Sequence, residues 1–248
     1  MSHINLTNAY LRDSKFSQFR WEYGSFMGAD LRNSTFESME METVDFRHSN
    51  LKGAKFLDIE FSSCKFENTY LEDTFFEKVL FEYSTDFSFT YGAFLSFRSP
   101  YLTDPQELLN AISKIENPTK IKNTTFKECR VEGIHFIGLE MKEVVFDECN
   151  IDTVYFSYSN LSNSKFRKCE TADLDFRGAD LRGAVFEECD LTGVILFDAD
   201  IRGVDFSTSE IHSNKFKGAK YNKDTKFPSW LENRLKKDND FEFIFIED

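Results

Sequence analysis

The sequence has no apolar run near the roughly 18 residues that a membrane-spanning helix requires. Its start, MSHINLTNAYLRDSKF, has no basic stretch leading into an apolar one, so no secretory signal is read there. Positive charge is also short: 30 Lys and Arg face 43 Asp and Glu, a formal net charge of −13. Gripping nucleic-acid phosphates needs the opposite balance, so direct nucleic-acid binding is not expected. Common active-site motifs are missing too: there is no phosphate-cradling glycine loop, no nucleophile elbow and no HExxH. Aromatic residues, by contrast, make up 16% of the chain, 29 of them Phe, which argues against disorder. At 248 residues and 41% hydrophobic, the chain suits one sizeable domain or two small ones. The composition points to an acidic, soluble, cytoplasmic protein.

A five-residue period dominates what is present. Every fifth position from Leu6 to Phe81, and again from Ile121 to Tyr221, is large and apolar in 36 of 37 places, the exception being Thr171. Two residues earlier stands a second column, which holds Ala, Ser, Thr, Val, Cys or Gly in 29 of 37 places. Neither column contains a charge or a His. Residues two apart in an extended segment point to the same side, so each unit sends one small and one large side chain inward. A helix needs apolar positions at steps of three and four, which this spacing does not offer. Single units bury too little, so they must stack. Phe recurs at nearly every tenth position from Phe126 to Phe216, and Cys129, Cys149, Cys169 and Cys189 recur every twenty. Four five-residue sides per turn would make each set a vertical ladder. Gly133, Gly138, Gly178, Gly183, Gly193, Gly203 and Gly218 suit its corners.

Segments such as Ala179-Asp180-Leu181-Arg182-Gly183, Ala29-Asp30-Leu31-Arg32-Asn33 and Cys189-Asp190-Leu191-Thr192-Gly193 resemble the pentapeptide-repeat family, whose signature is A(D/N)LXX. The resemblance covers about three quarters of the chain. It implies an all-β fold, a right-handed quadrilateral β-helix, here with a helical insertion and a C-terminal capping helix. Departures are the heavy use of Phe at the centre and of Cys, Thr or Val in place of Ala.

Four regions follow: coils over 1–83, an insertion over 84–118, coils over 119–223 and a cap over 224–248. The insertion begins with aromatics (Phe87, Phe89, Tyr91, Phe94, Phe97) that suit a coil continued in another phase. Asp104-Pro105-Gln106-Glu107 then reads as a helix start, with Leu108, Ile112 and Ile115 on one face and Pro118 as a stop. Such a helix either covers the solenoid's side or protrudes to a partner. Near the end, Ser229-Trp230-Leu231-Glu232 fits a capping box, followed by Leu235, and Phe241, Phe243 and Phe245 lie in a β-prone strand. Trp230, Leu231, Leu235, Phe241, Phe243 and Phe245 are thus candidates for a cap over the open end, or for a homodimer contact, which the resemblance also implies.

No cofactor, metal or catalytic residue is expected. All five cysteines (Cys64, Cys129, Cys149, Cys169, Cys189) fall in the small inward column, where neighbours about one strand spacing apart, ~4.8 Å, are poorly placed for a disulfide. Stacked in line, they also cannot form a tetrahedral zinc site. His3, His48, His135 and His212 show no ligand spacing, and Asp173-x-Asp175 and Asp198-x-Asp200 lack the rest of a calcium loop.

The resemblance to the quinolone-resistance branch implies a non-enzymatic rod that mimics duplex DNA and binds a type II topoisomerase, DNA gyrase or topoisomerase IV. Candidate acidic surfaces are Glu67, Glu72, Glu77 and Glu82 around one coil, and Glu128, Asp147, Glu148, Glu187 and Glu188 stacked on another face. The charge density is about half that of a duplex of equal length, with Arg167, Lys168, Arg177, Arg182 and Arg202 interleaved. The alternative is a scaffold or regulatory module for another cytoplasmic protein.

Overall fold

A computed structural model describes residues 3–82, 85, 87, 121–212, 215–237 and 242–247. The expected insertion helix (Leu108, Ile112, Ile115) and Phe241 lie outside the described residues.

The chain winds into a parallel β-solenoid of about 9 turns. Its strands are short because each covers one side of a coil: β1 (Lys15–Ser17), β2 (Arg20–Glu22), β5 (Phe75–Glu77) and β7 (Thr125–Lys127) are examples. Partners lie twenty residues apart, Phe16 beside Phe36 and Phe36 beside Phe56, so each residue type stacks on its own column. Across the insertion the step becomes fifty, Phe76 pairing with Phe126. The strands β3 (Thr35–Glu42) and β4 (Lys55–Ser62) carry their pairing through a corner, where Met39 and Ile59 replace the usual small residue.

The four sides are named here for a central residue of each. The Phe16 face continues through Phe36, Phe56, Phe76, Phe126, Phe146, Phe166 and Phe186 to Phe206, with stacked rings 4.7–5.1 Å apart. The Trp21 face follows, with Met41, Phe61, Phe81, Val131, Ile151, Thr171 and Leu191. The Phe26 face stacks Phe46, Phe66, Phe87, Phe136, Phe156 and Phe176. Leu31, Leu51, Leu71, Ile121, Met141, Leu161 and Leu181 centre the fourth. These side chains are buried except half-buried Phe16 and Thr171; the Thr171 hydroxyl donates to the Asp190 carbonyl. Burying a Phe contributes about 1.5–3 kcal/mol, which repeated units add together.

Phe87 is fully buried, 4.7 Å from Phe66, so the coil absorbs one extra residue and passes beyond position 83. Most corner residues, two after a centre, are left-handed even where they are not glycine, as at Asn33 (φ 57°) and Glu148 (φ 55°). Gly183 (φ 68°) meets a second demand: a Cβ there would lie 2.6 Å from Asn163 Oδ1 one coil below.

The C-terminal end is covered. Helix α1 (Ser229–Lys237) buries Leu231 completely, and Leu235 packs partly against the core. The short strand β15 (Ile244–Phe245) pairs in parallel with β14 (Lys220–Tyr221), and Phe243 stacks 4.9 Å from Phe216.

Candidate protein-binding face

Flat positions on either side of each central residue carry the outward charge. They are two residues apart, point the same way and come within ion-pair reach of each other. Where the unit reads Asp-x-Arg, the pair closes on itself: Arg32–Asp30 at 2.7 Å, Arg182–Asp180 at 2.6 Å and Arg202–Asp200 at 2.7 Å on the Leu31 face. The Phe26 face does the same with Arg47–Asp45 at 2.6 Å and with Arg177–Asp175. Burial alone would raise the Asp180 carboxyl, but the guanidinium and backbone N–H of Arg182 hold it below its ordinary value. These internal pairs make the Asp-x-Arg units electrically quiet.

Among the described residues the Trp21 face closes in this way only at Arg20–Glu22 and Arg130–Glu132. Its leading column contains Glu40, Glu60, Glu170, Asp190 and Glu210, and its trailing column Glu22, Glu42, Glu82, Glu132 and Asp152. Against these ten carboxylates stand two cations, Arg20 and Arg130. Arg20 is shared among Glu22, Glu40 and Glu42 at 2.7, 3.3 and 2.7 Å, and Arg130 pairs with Glu132 at 2.8 Å. Glu170, Asp190 and Glu210 stack on consecutive coils, all exposed. Among described residues the flat positions of the other three faces are close to neutral or slightly basic. Most of the chain's negative excess therefore lies on one side.

The residues singled out from the sequence are distributed otherwise. Glu67, Glu72, Glu77 and Glu82 ring one coil, one on each face. Glu67 sits 3.9 Å from Arg47, Glu72 lies 3.2 Å from Lys52, and Glu77 3.2 Å from Lys127. Only Glu82 belongs to the acidic face. Glu128, Glu148 and Glu188 form a corner column between the Phe16 and Trp21 faces, with Asp147 and Glu187 beside them. Cations thread this group: Lys127–Glu128 at 3.2 Å, Arg167–Asp147 at 2.7 Å and Lys168–Glu148 at 4.0 Å. It rims the acidic face rather than forming it. The signal for the missed columns was the twenty-residue period, hidden because the insertion breaks the count.

Between the Phe16 and Trp21 faces runs an open groove of about 500 Å³, lined by Phe19, Arg20, Met39, Glu40, Asp58 and Glu60 among others. Among the described residues no His, Cys, Asp and Glu are grouped to hold a metal ion. All five thiols are free and buried. Burial pushes Cys64 up to about 12, and hydrogen bonding with Cys149 is the largest factor that raises Cys169 to about 12. Such thiols are poor nucleophiles and poor ligands. No helix among the described residues is long and apolar enough to cross a membrane.

At the C-terminal end, Trp230 is 39% exposed and stacks on His212, while Phe245 is 52% exposed. Leu231 and Phe243 are buried within the cap.

Comparison with known proteins bears on the repeat. Trypsin-treated QnrB1, a plasmid-mediated fluoroquinolone resistance protein, aligns at 17% identity and TM-score 0.48 over 91% of this chain and 95% of its own. HetL, a pentapeptide repeat protein involved in heterocyst differentiation regulation in the cyanobacterium Nostoc, aligns at 14% identity and TM-score 0.41, covering 91% and 88%. Rfr23 of the cyanobacterium Cyanothece aligns at 14% identity and TM-score 0.28, covering 68% and 90%. No curated protein sequence matches the chain. A family profile described as "Pentapeptide repeat region" matches residues 119–196, and one described as "Pentapeptide repeats (8 copies)" matches residues 25–56. Both matches fall on coils whose centre and small columns are buried in the pattern read from the sequence, and so the chain belongs to the pentapeptide-repeat family.

Proposed function

We propose that this protein is a non-enzymatic binding rod whose Trp21 face stands in for duplex DNA in the basic, DNA-gripping channel of a type II topoisomerase such as gyrase. The observation that carries this reading is the segregation of charge. Stacked carboxylates at ~4.8 Å per coil present a row of anions along a straight axis, comparable to the ~3.4 Å step of phosphates along one DNA strand. Because the other faces are nearly neutral, the rod has a single preferred side for a cationic partner. Binding is then salt-sensitive and competitive with DNA. The free, buried thiols agree with a reducing cytoplasm. Exposed Ile244 and Phe245 at the outer edge of β15 support a homodimer through the C-terminal ends.

The deciding experiment is a gyrase supercoiling assay with and without a quinolone. Wild-type protein alters supercoiling or drug sensitivity, Glu170→Lys with Glu210→Lys abolishes the effect, and Glu67→Lys with Glu72→Lys retains most of it. Unchanged supercoiling and drug sensitivity with the wild-type protein refutes the topoisomerase reading. A scaffold role for another cytoplasmic protein would then be the reading to pursue.

A further inference from the structure

One corner of the rod is built from large residues. Between the Phe16 and Trp21 faces the small column holds Phe19, Met39 and Ile59 in the early coils, where later coils carry Cys129, Cys149 and Cys169. Strands β3 and β4 run through this corner unbroken, and over it lies the open groove of about 500 Å³. Met39 is buried and Phe19 half-buried, so the groove has an apolar floor with one aromatic ring.

Its walls are charged, and unequally matched. At one end the Arg20 guanidinium is held by Glu22, Glu40 and Glu42, drawn from two successive coils. The protein's own side chain thus shows which cation this lattice of carboxylates suits: a planar fork that reaches several acids at once. One coil further, Asp58 and Glu60 line the groove two residues apart with no such cation. Among the described residues Asp58 accepts the Ser38 hydroxyl at 3.1 Å, and Glu60 has no side-chain partner. The columns offer them nothing further. Leu80 follows Glu60, and Lys78, which follows Asp58, pairs onward with Glu128 at 4.0 Å. In later coils Lys127 and Lys168 lie within 4.0 Å of the corner acids Glu128 and Glu148. Unmatched negative charge and an apolar floor therefore coincide in this groove.

We propose that the groove seats an arginine side chain from an extended basic segment of a partner protein, its guanidinium between Asp58 and Glu60 and its alkyl stem on Met39 and Phe19. Charge complementarity chooses a cation, and the apolar floor chooses one with a long carbon stem. Guanidinium suits better than ammonium because it pairs with two carboxylates, stacks on a ring and is weakly hydrated. Glu40 and Glu60 also belong to the Trp21 face, so the groove is an anchor at the edge of the acidic side. It serves any basic partner and does not rest on the topoisomerase reading.

Fluorescence anisotropy with labelled octa-arginine and octa-lysine, added to the full-length protein at near-physiological salt, tests it. Octa-arginine binds more tightly than octa-lysine, by about threefold or more. Asp58→Asn with Glu60→Gln weakens octa-arginine about tenfold. Glu170→Gln with Glu210→Gln removes the same charge from distant coils and weakens it by less than about twofold. Phe19→Leu erases the preference for arginine and leaves octa-lysine binding unchanged. All four acids are exposed, so these variants stay folded, which melting curves verify. No binding of octa-arginine or no preference for it overturns the proposal. So do equal losses from the two acid pairs, which would mean attraction to the whole face, and a preference that survives Phe19→Leu. A failed supercoiling assay leaves the outcome untouched, because no topoisomerase takes part.

Discussion

Trp21 lies over Gly24, and a Cβ built on that glycine would come 1.7 Å from the indole Nε1. The small column that takes alanine at Ala29 and Ala54 therefore has one place where even alanine does not fit, because the neighbouring indole fills the space. Gly24→Ala, a change toward the family signature, is expected to destabilise the protein by about 1–3 kcal/mol through overpacking. Trp21→Leu in the same chain should relieve the clash and make Gly24→Ala nearly neutral relative to Trp21→Leu alone. Denaturant unfolding followed by circular dichroism measures all four proteins. An unchanged midpoint for Gly24→Ala would show that the indole moves aside.

That contact was not legible in the sequence, whereas the columns around it were. The centre column from Leu6 to Tyr221 and the inward cysteines follow from a five-residue period, since both depend only on side-chain direction within one unit. The cap was legible in Leu231, whose capping-box neighbours announce the helix. The acidic face was not, because Glu82 and Glu132 share a column only when fifty residues are counted as one turn, and Phe87 adds a further one-residue shift. Local pattern reveals which way a side chain points. Which residues stack is a property of the register, and the insertion erased it.

The thiols give a second test. All five are buried, and the thiols of Cys64, Cys149, Cys169 and Cys189 are pushed above their ordinary range, so a disulfide-exchange reagent should label none of the five in native protein at pH 8. All five should react in denaturant, and the native labelling rate should track global unfolding. Rapid labelling of one thiol in the folded state would show that its coil opens locally.

Acid should weaken the self-closed pairs. Burial opposes ionisation of Asp45 and Asp180, but Arg47 and Arg182 outweigh it, and both carboxyls titrate below their ordinary range. A folded pKa below the unfolded value of about 3.9 gives stability that is present above that pH and lost as pH falls through the lower folded value. Asp180→Asn should therefore lower the melting temperature at pH 7, by no more than about 1 kcal/mol in stability for so exposed a pair. The difference from wild type should shrink below about pH 4. A gap that persists unchanged at pH 2 would assign the effect to packing.

The cap predicts a larger effect. Leu231 has no exposed surface, and it packs from the C-terminal helix into the hydrophobic core. Leu231→Ala should cost about 2–5 kcal/mol and expose strand edges that invite aggregation. The same truncation at exposed Trp230 should cost much less. Thermal melts with light scattering separate the two, and equal losses would mean that the helix is not seated as described.

Function and stability should pull in opposite directions on the Trp21 face. Asp190 lies between Glu170 and Glu210, one coil away on either side, and no cation lies within ion-pair reach of the three among the described residues. Unit charges ~4.8 Å apart repel by about 0.9 kcal/mol in bulk water, less in salt. The protein retains this repulsion in its folded state, whereas Asp180 and Arg182 show how readily the repeat could cancel it. Glu170→Gln with Glu210→Gln should therefore raise stability, by up to about 1 kcal/mol at low ionic strength. At 0.5 M salt the gain should fall by more than half, because the Debye length there is only about 4 Å. Neutralising Asp180 has the opposite sign, so the two substitutions form an internal control in the same melting series. If removing the two glutamate charges destabilises the rod at every salt concentration, those carboxylates are structural and the face is not held ready for a cationic partner.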